Sequence, residues 1–132
     1  MIQRSRDLDK IIITALNKTI QLANVDLNRV GIGVMSVQGH LLDRMSDREI
    51  YPEDVNRALQ ILFSRQLCQL LYECEHTNRQ FVKFMIQFDE LFFIHGTYAK
   101  IPDKQTKIAF RTVVKYRASY VPDDILIKVK TI

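Results

Sequence analysis

Cysteine is scarce in this 132-residue chain, with Cys68 and Cys74 as its only two. One pair cannot build the disulfide framework of a small secreted protein, so both thiols are expected to be reduced. Long hydrophobic runs are missing as well. Ile11 to Ile13 and Leu91 to Ile94 are among the longest, far short of the roughly 20 apolar residues of a membrane span. The N-terminal stretch MIQRSRDLDK lacks the apolar core of a signal peptide. A cytoplasmic or nuclear protein is expected, not secreted and with no membrane partner. No internal repeat or biased tract appears.

The signatures of catalysis are absent or incomplete. Gly31-Ile32-Gly33 has no glycine at the third required step, so the dinucleotide fingerprint fails, and no Gly-Lys-Ser or Gly-Lys-Thr phosphate loop exists. Ser36, His40 and Asp43 would lie along one helical face, where neighbours rarely reach the geometry of a catalytic triad. Cys68, Cys74, His76 and His95 are the only soft-metal candidates, and their spacing matches no zinc pattern. Asp89-Glu90 falls between two candidate strands and reads as a polar turn. The expectation is a non-enzymatic protein with no cofactor and no metal.

What is present is an ordinary globular composition, 47% hydrophobic and 26% charged, in a length that suits one domain. Residues 1–132 read as a single α+β domain with a helical part over 1–66 and a β-rich part over 67–132. In the first part, Leu8, Ile12, Leu16, Ile20 and Ala23 repeat at helical spacing behind a cap at Asp7 or Asp9. The run of three isoleucines leaves Ile13 off that stripe and predicts a helix covered on two sides. Residues 24–33, rich in asparagine, aspartate and glycine, predict a turn. A second helix is expected over about 34–45, burying Val34, Val37, Leu41 and Leu42, with Gly39 as a weak point. A third is expected over about 52–65, opened by Pro52 with Glu53 and Asp54 in its first turn.

From residue 67 the periodicity changes. Cys68, Leu70, Tyr72 and Cys74 alternate with polar partners and favour a strand over 67–75, although Leu67, Leu70 and Leu71 would also extend a helix. Strands follow over 80–88, 91–101, 107–120 and 125–132, with turns at His76-Thr77-Asn78 and at residues 102–105. An antiparallel sheet is the expected arrangement.

The order of three helices and then two strands around a polar turn resembles the winged-helix domains over about residues 8–88. The third helix carries Val55, Ala58, Leu59 and Leu62, with Leu67 opening the first wing strand. The resemblance implies a DNA-reading third helix, for which Asn56, Arg57, Gln60, Ser64 and Arg65 have suitable chemistry: arginine can pair two donors with a guanine edge, and asparagine or glutamine can pair with adenine. The sequence departs from that pattern in two ways. Glu53 and Asp54 would place acids at the groove-facing end of the helix, and the turn SDREIYP is long. Winged helices also serve as protein-protein modules. From Leu41 onward, the helical hairpin, the acidic-aromatic FDELFF and a basic closing strand are faintly similar to the small subunit of the general transcription factor that clamps the TATA-binding protein.

Charge gives a second set of candidates. Residues 101–132 hold the basic Lys104, Lys107, Arg111, Lys115, Arg117, Lys128 and Lys130 against the acids Asp103, Asp123 and Asp124, a local balance of 7 − 3 = +4 that equals the net charge of the whole chain. Over 107–120, Lys107, Arg111, Lys115 and Arg117 fall opposite Ile108, Phe110, Val114, Tyr116, Ala118 and Tyr120; over 125–132, Lys128 and Lys130 fall opposite Ile125, Ile127 and Val129. If these strands share a sheet with matching faces, one surface carries six positive charges, suited to phosphate and to salt-dependent binding. A wet sheet face and a lysine-protected edge would also use such residues.

Nucleic-acid binding, as in a small transcription or replication regulator, is therefore the leading functional expectation. The alternative is an assembly subunit of a homo- or hetero-oligomer, such as a transcription-factor or virion component. Nine of the twelve aromatics lie in the last 52 residues, from Phe81 to Tyr120, and Val82 to Ile86 is apolar on both strand faces, which calls for cover on the second face as well.

Overall fold

The computed structural model describes residues 6–37, 39–115 and 125–130. The chain is α+β. Helix α1 (Arg6–Leu27) is followed by a 3-10 turn (Asn28–Val30), strand β1 (Ile32–Val34), helices α2 (Gly39–Asp47) and α3 (Pro52–Ile61), a π-turn (Leu62–Gln66), helix α4 (Leu67–His76), and then strands β2 (Phe81–Phe88), β3 (Phe92–Ala99), β4 (Thr106–Val114) and β5 (Ile125–Val129). The strands form one sheet in the order β1-β4-β3-β2-β5.

The sheet is mixed, which corrects the antiparallel expectation. The hairpins β2-β3 and β3-β4 are antiparallel, whereas β1 pairs with β4 and β5 pairs with β2 in parallel. The reason is long-range: β5 lies beyond β2 instead of beside β4, and β1 is drawn to the far edge. Strand β1 departs from the sequence pattern, in which residues 24–33 read as a turn and 34–45 as helix. Val34, Val37, Leu41 and Leu42 are all buried as anticipated, but Val34 closes a strand and the helix starts only at Gly39.

That segment is held extended by α1. Asn24 accepts a hydrogen bond from the Val34 amide at 2.7 Å and donates to its carbonyl at 2.9 Å. Asn17 does the same for Val37, at 2.8 and 3.4 Å. Seven residues apart, the two side chains lie on one flank of the helix, so α1 completes the outer edge of β1 as another strand would. On the opposite flank the Thr19 hydroxyl donates to Asn56 Oδ1 of α3 at 2.6 Å, and between the flanks Leu16, Ile20 and Leu27 enter the core.

Of the competing signals over 67–75, the helical one prevails: Leu67–His76 forms helix α4. Leu70 and Cys74 are buried at a four-residue step, while Cys68 and Tyr72 are exposed. The competing signals have a local cause. Five residues separate Leu62 from Leu67, so a continuous α-helix would lose its apolar stripe there; the π-turn with its wider i to i+5 spacing restores it. The expected third helix over 52–65 is thus α3 plus this turn. The residue 102–105 turn is present, with Asp103 left-handed at φ 61° and the Lys104 amide bonded to the Ile101 carbonyl at 3.1 Å. Residues 116–120, expected to extend β4, lie outside the described residues.

The helices pack on one face of the sheet. Val82, Phe84, Ile86 and Phe88 of β2 meet Phe92, Ile94 and Tyr98 of β3, Ile108, Phe110 and Val113 of β4 and Ile125, Ile127 and Val129 of β5 in one core with the helical residues. A bulge in β4 opposite His95 and Gly96 shifts the alternation by one. Val113 therefore points to the core and Val114 away from it, the reverse of what strict alternation implies. Beside the bulge, the Phe84 ring covers Gly96. A Cβ built on Gly96 would lie 2.3 Å from Phe84 Cζ and 2.7 Å from the Ala109 carbonyl oxygen. The backbone oxygen cannot move aside without breaking the ladder. Gly96→Ala is therefore expected to destabilise the protein by about 1–3 kcal/mol through overpacking, read as a lower urea midpoint at an unchanged slope.

Candidate functional site

The register of the sheet decides where its charges stand. Lys83 is level with Thr97 and Ala109, and Lys107 with Ala99 and Phe81, while Lys128 is level with Gln87. All three point away from the helices. Arg111 is the extra residue of the β4 bulge, and its Nε donates to Thr97 Oγ1 at 3.3 Å, which brings it to the same side. These four are the strands' only lysine and arginine residues, all are exposed, and no aspartate or glutamate occurs in β1–β5. The face opposite the helices thus has a basic rim.

Within that rim the face is largely uncharged. Met85, Ala109 and Val114 are buried there, Phe93, His95 and Thr97 are half-buried, and Phe81 is 50% exposed. Strands lie about 4.8 Å apart and advance about 3.3 Å per residue, which puts each basic Cα roughly 10–15 Å from its nearest basic neighbour. At such spacing the four charges repel weakly in physiological salt, where the screening length is about 8 Å. Lys107, Arg111 and Lys128 could each engage a separate anionic group.

The sequence candidates fall into two sets on opposite surfaces. Lys107, Arg111 and Lys128 stand on the sheet face. Lys115 and Lys130 are exposed just past the ends of β4 and β5, and Arg117 lies outside the described residues. Strands β4 and β5 are not neighbours, since β3 and β2 separate them. Lys83 of β2 stands between them and is absent from the sequence candidates, although its position between Val82 and Phe84 in an alternating strand is a usable signal. On the helical side, Arg57 and Gln60 of α3 are exposed, as is Arg65 in the π-turn. Asn56 is half-buried and engaged by Thr19, and Ser64 Oγ donates to the Ile61 carbonyl at 3.2 Å.

The sheet edges are partly closed by side chains. Besides Asn24 on β1, the Arg48 guanidinium donates to Thr112 Oγ1 at 3.0 Å and to the Val113 carbonyl, on the stretch of β4 that β1 does not reach. Gln66 donates to the Lys128 carbonyl of β5 at 2.9 Å. Such contacts occupy groups that would otherwise recruit another strand.

Burial, reinforced by the charges of Glu75 and Glu73, pushes the Cys74 thiol up to about 12, which keeps it protonated and unreactive. Among the described residues, no group of three or more histidine, cysteine, aspartate or glutamate side chains is placed to hold a metal, and no helix is long and apolar enough to cross a membrane. Comparison of the chain with protein-family models, with curated proteins and with solved structures finds no match.

The end of α4 is tied to the sheet by a small polar cluster. The buried Tyr98 hydroxyl donates to Glu75 Oε1, and Lys100 Nζ lies 3.2 Å from Glu75 Oε2. The Tyr98 hydrogen bond, assisted by Lys100 and opposed by slight burial, holds the Glu75 carboxyl below its ordinary value. A carboxylate with a lowered folded pKa contributes stability that is present above its unfolded pKa and lost as pH falls through the folded one. Glu75→Gln is accordingly expected to be less stable than the natural chain at pH 7, and the gap should close as pH falls through the lowered pKa of the folded Glu75 carboxyl, below which both side chains are neutral. Urea titrations of both proteins across that range measure it.

Proposed function

We propose that this protein is a non-enzymatic nucleic-acid-binding protein that holds the phosphate backbone on the sheet face turned away from its helices. The observation that carries the reading is the sign of that face: Lys83, Lys107, Arg111 and Lys128 with no acid in any strand. Backbone contacts from the rim would be largely independent of sequence. Phe81, Phe93 and His95 on the same face offer rings on which unpaired bases can stack. A single-stranded region of DNA or RNA suits this surface better than a duplex groove. A regulatory role in transcription or replication, in the cytoplasm or nucleus, follows from such a partner.

The winged-helix mode, with α3 in a groove, is the competing placement of the interface. Arg57 and Gln60 are exposed for it. Glu53 and Asp54 in the first turn of α3 weigh against it, as does the engagement of Asn56 by Thr19. An assembly role is favoured by a separate feature, the exposed apolar residues of α1.

Fluorescence anisotropy with mixed-sequence single-stranded and duplex oligonucleotides, titrated with salt, tests the proposal. Binding should weaken steeply with salt and favour the single strand. Alanine at Lys83, Lys107, Arg111 or Lys128 should lower affinity for all sequences alike and flatten the logarithmic salt slope by about 0.7–0.9 for each phosphate interaction removed. Arg57→Ala with Gln60→Ala should leave both unchanged. If that pair instead relaxes a sequence preference by about 1–3 kcal/mol per base contact, the interface is on α3; no binding at low salt would reject nucleic acid as the partner.

A further inference from the structure

Helix α1 has a second apolar face that is exposed among the described residues. Leu8, Ile11, Leu22 and Val25 are 44%, 66%, 66% and 55% exposed, and with the exposed Ala15 and Lys18 they recur at steps of three, four, three, four and three residues. That is the seam of a coiled coil. At 100° per residue the stripe lies nearly opposite Leu16, Ile20 and Leu27, which enter the core, so a partner helix could approach without disturbing the domain. Exposed Asp7, Thr14 and Gln21 run along one border of the stripe and give it a polar rim. The isoleucine run is divided between the two faces: Ile12 and Ile13 are half-buried against the core, and Ile11 belongs to the exposed stripe.

We infer that α1 pairs with α1 of a second copy of this chain, antiparallel, about a two-fold axis at the height of Leu16 and Asn17. The stripe is self-complementary in this arrangement. Leu8 meets Val25 of the second copy, Ile11 meets Leu22, and Ala15 meets Lys18, the same contacts being repeated across the axis as an isologous interface requires. The one charged member decides the orientation. A parallel pair would set Lys18 against Lys18, like charges in an apolar seam, whereas the antiparallel pair lays the lysine stem over the small Ala15 and leaves its ammonium at the rim. The seam extends about 26 Å along the helix at about 1.5 Å per residue. With its rim it buries on the order of 1,200 Å² in total, the lower bound of specific interfaces. An interface at that lower bound belongs to the weak, transient class, for which a dissociation constant of about micromolar is expected. The sheet's basic face is on the other side of the molecule, so each copy presents its own, and the pairing does not depend on nucleic-acid binding.

Sedimentation velocity on the full chain from about 1 to 200 µM spans the expected constant. The expected result is a concentration-dependent monomer-dimer equilibrium. Ile11→Glu, at an exposed position that leaves circular dichroism unchanged, should weaken it at least about 30-fold. Ala15→Glu separates the orientations: beside Lys18 of the second copy it should tighten an antiparallel dimer, and against its own counterpart it would weaken a parallel one. A cysteine pair adds a direct readout, with Ala15→Cys and Lys18→Cys in a Cys68→Ser background cross-linking 15 to 18 between copies. A monomer at every concentration, or a dimer indifferent to Ile11→Glu, would overturn the proposal; weakening by Ala15→Glu would overturn the antiparallel geometry.

Discussion

Two asparagine side chains on one helix hold this architecture in register. By pairing with both backbone groups of Val34 and Val37, Asn24 and Asn17 keep the chain extended where its apolar pattern reads as helix, and so create β1. Once β1 is extended it can lie along β4, where the Met35 amide donates to the Ile108 carbonyl at 2.7 Å. The helices that follow then start from a fixed edge. Loss of either carboxamide would leave backbone groups of a part-buried segment without their partner, a cost on the order of 1–3 kcal/mol for each group. Because the same helix bonds α3 through Thr19, α1 positions both neighbours at once.

The result is a molecule with a clear division of surfaces. All helices gather on one face of the sheet, where aromatic and branched side chains interdigitate: Phe110 packs edge-on against Phe84 with centroids 6.1 Å apart and tilted against Phe63 at 5.9 Å. Every lysine and arginine of the strands is left on the other face. Alternation alone forces this separation, since a charge on the core side of any strand would be buried among these rings. The positive face is thus a consequence of the core as much as of any ligand, and binding measurements distinguish a solubilising surface from a working one.

Much of the core is legible in the sequence because it depends on local period. Leu16 and Ile20, Val55 to Leu62, and the alternation from Val82 to Phe88 all occupy the faces that their spacing implies. What stays hidden depends on distant contacts. No neighbour in sequence reports that Asn24 will bond Val34, or that β5 will pair with β2 in parallel. The π-turn is an intermediate case: the five-residue gap from Leu62 to Leu67 is visible, but it reads equally as a change to strand. The bulge beside Gly96 reverses Val113 and Val114 for the same reason, because an inserted residue looks like unbroken alternation until its partner strand is known. On the candidate surface, charge and period pick out Lys107, Arg111 and Lys128, whereas Lys83 escapes a search by local charge because it lies outside the basic C-terminal quarter.

The proposed function assigns recognition to the sheet face and structural support to the helices. Backbone amide chemical shifts recorded during titration with a mixed-sequence single-stranded oligonucleotide test it most directly. Shifts are expected to concentrate on β2, β3, β4 and β5 around Lys83, Thr97, Arg111 and Lys128, with α3 unmoved. Shifts centred on Arg57 and Gln60, or none anywhere at low salt, would contradict it.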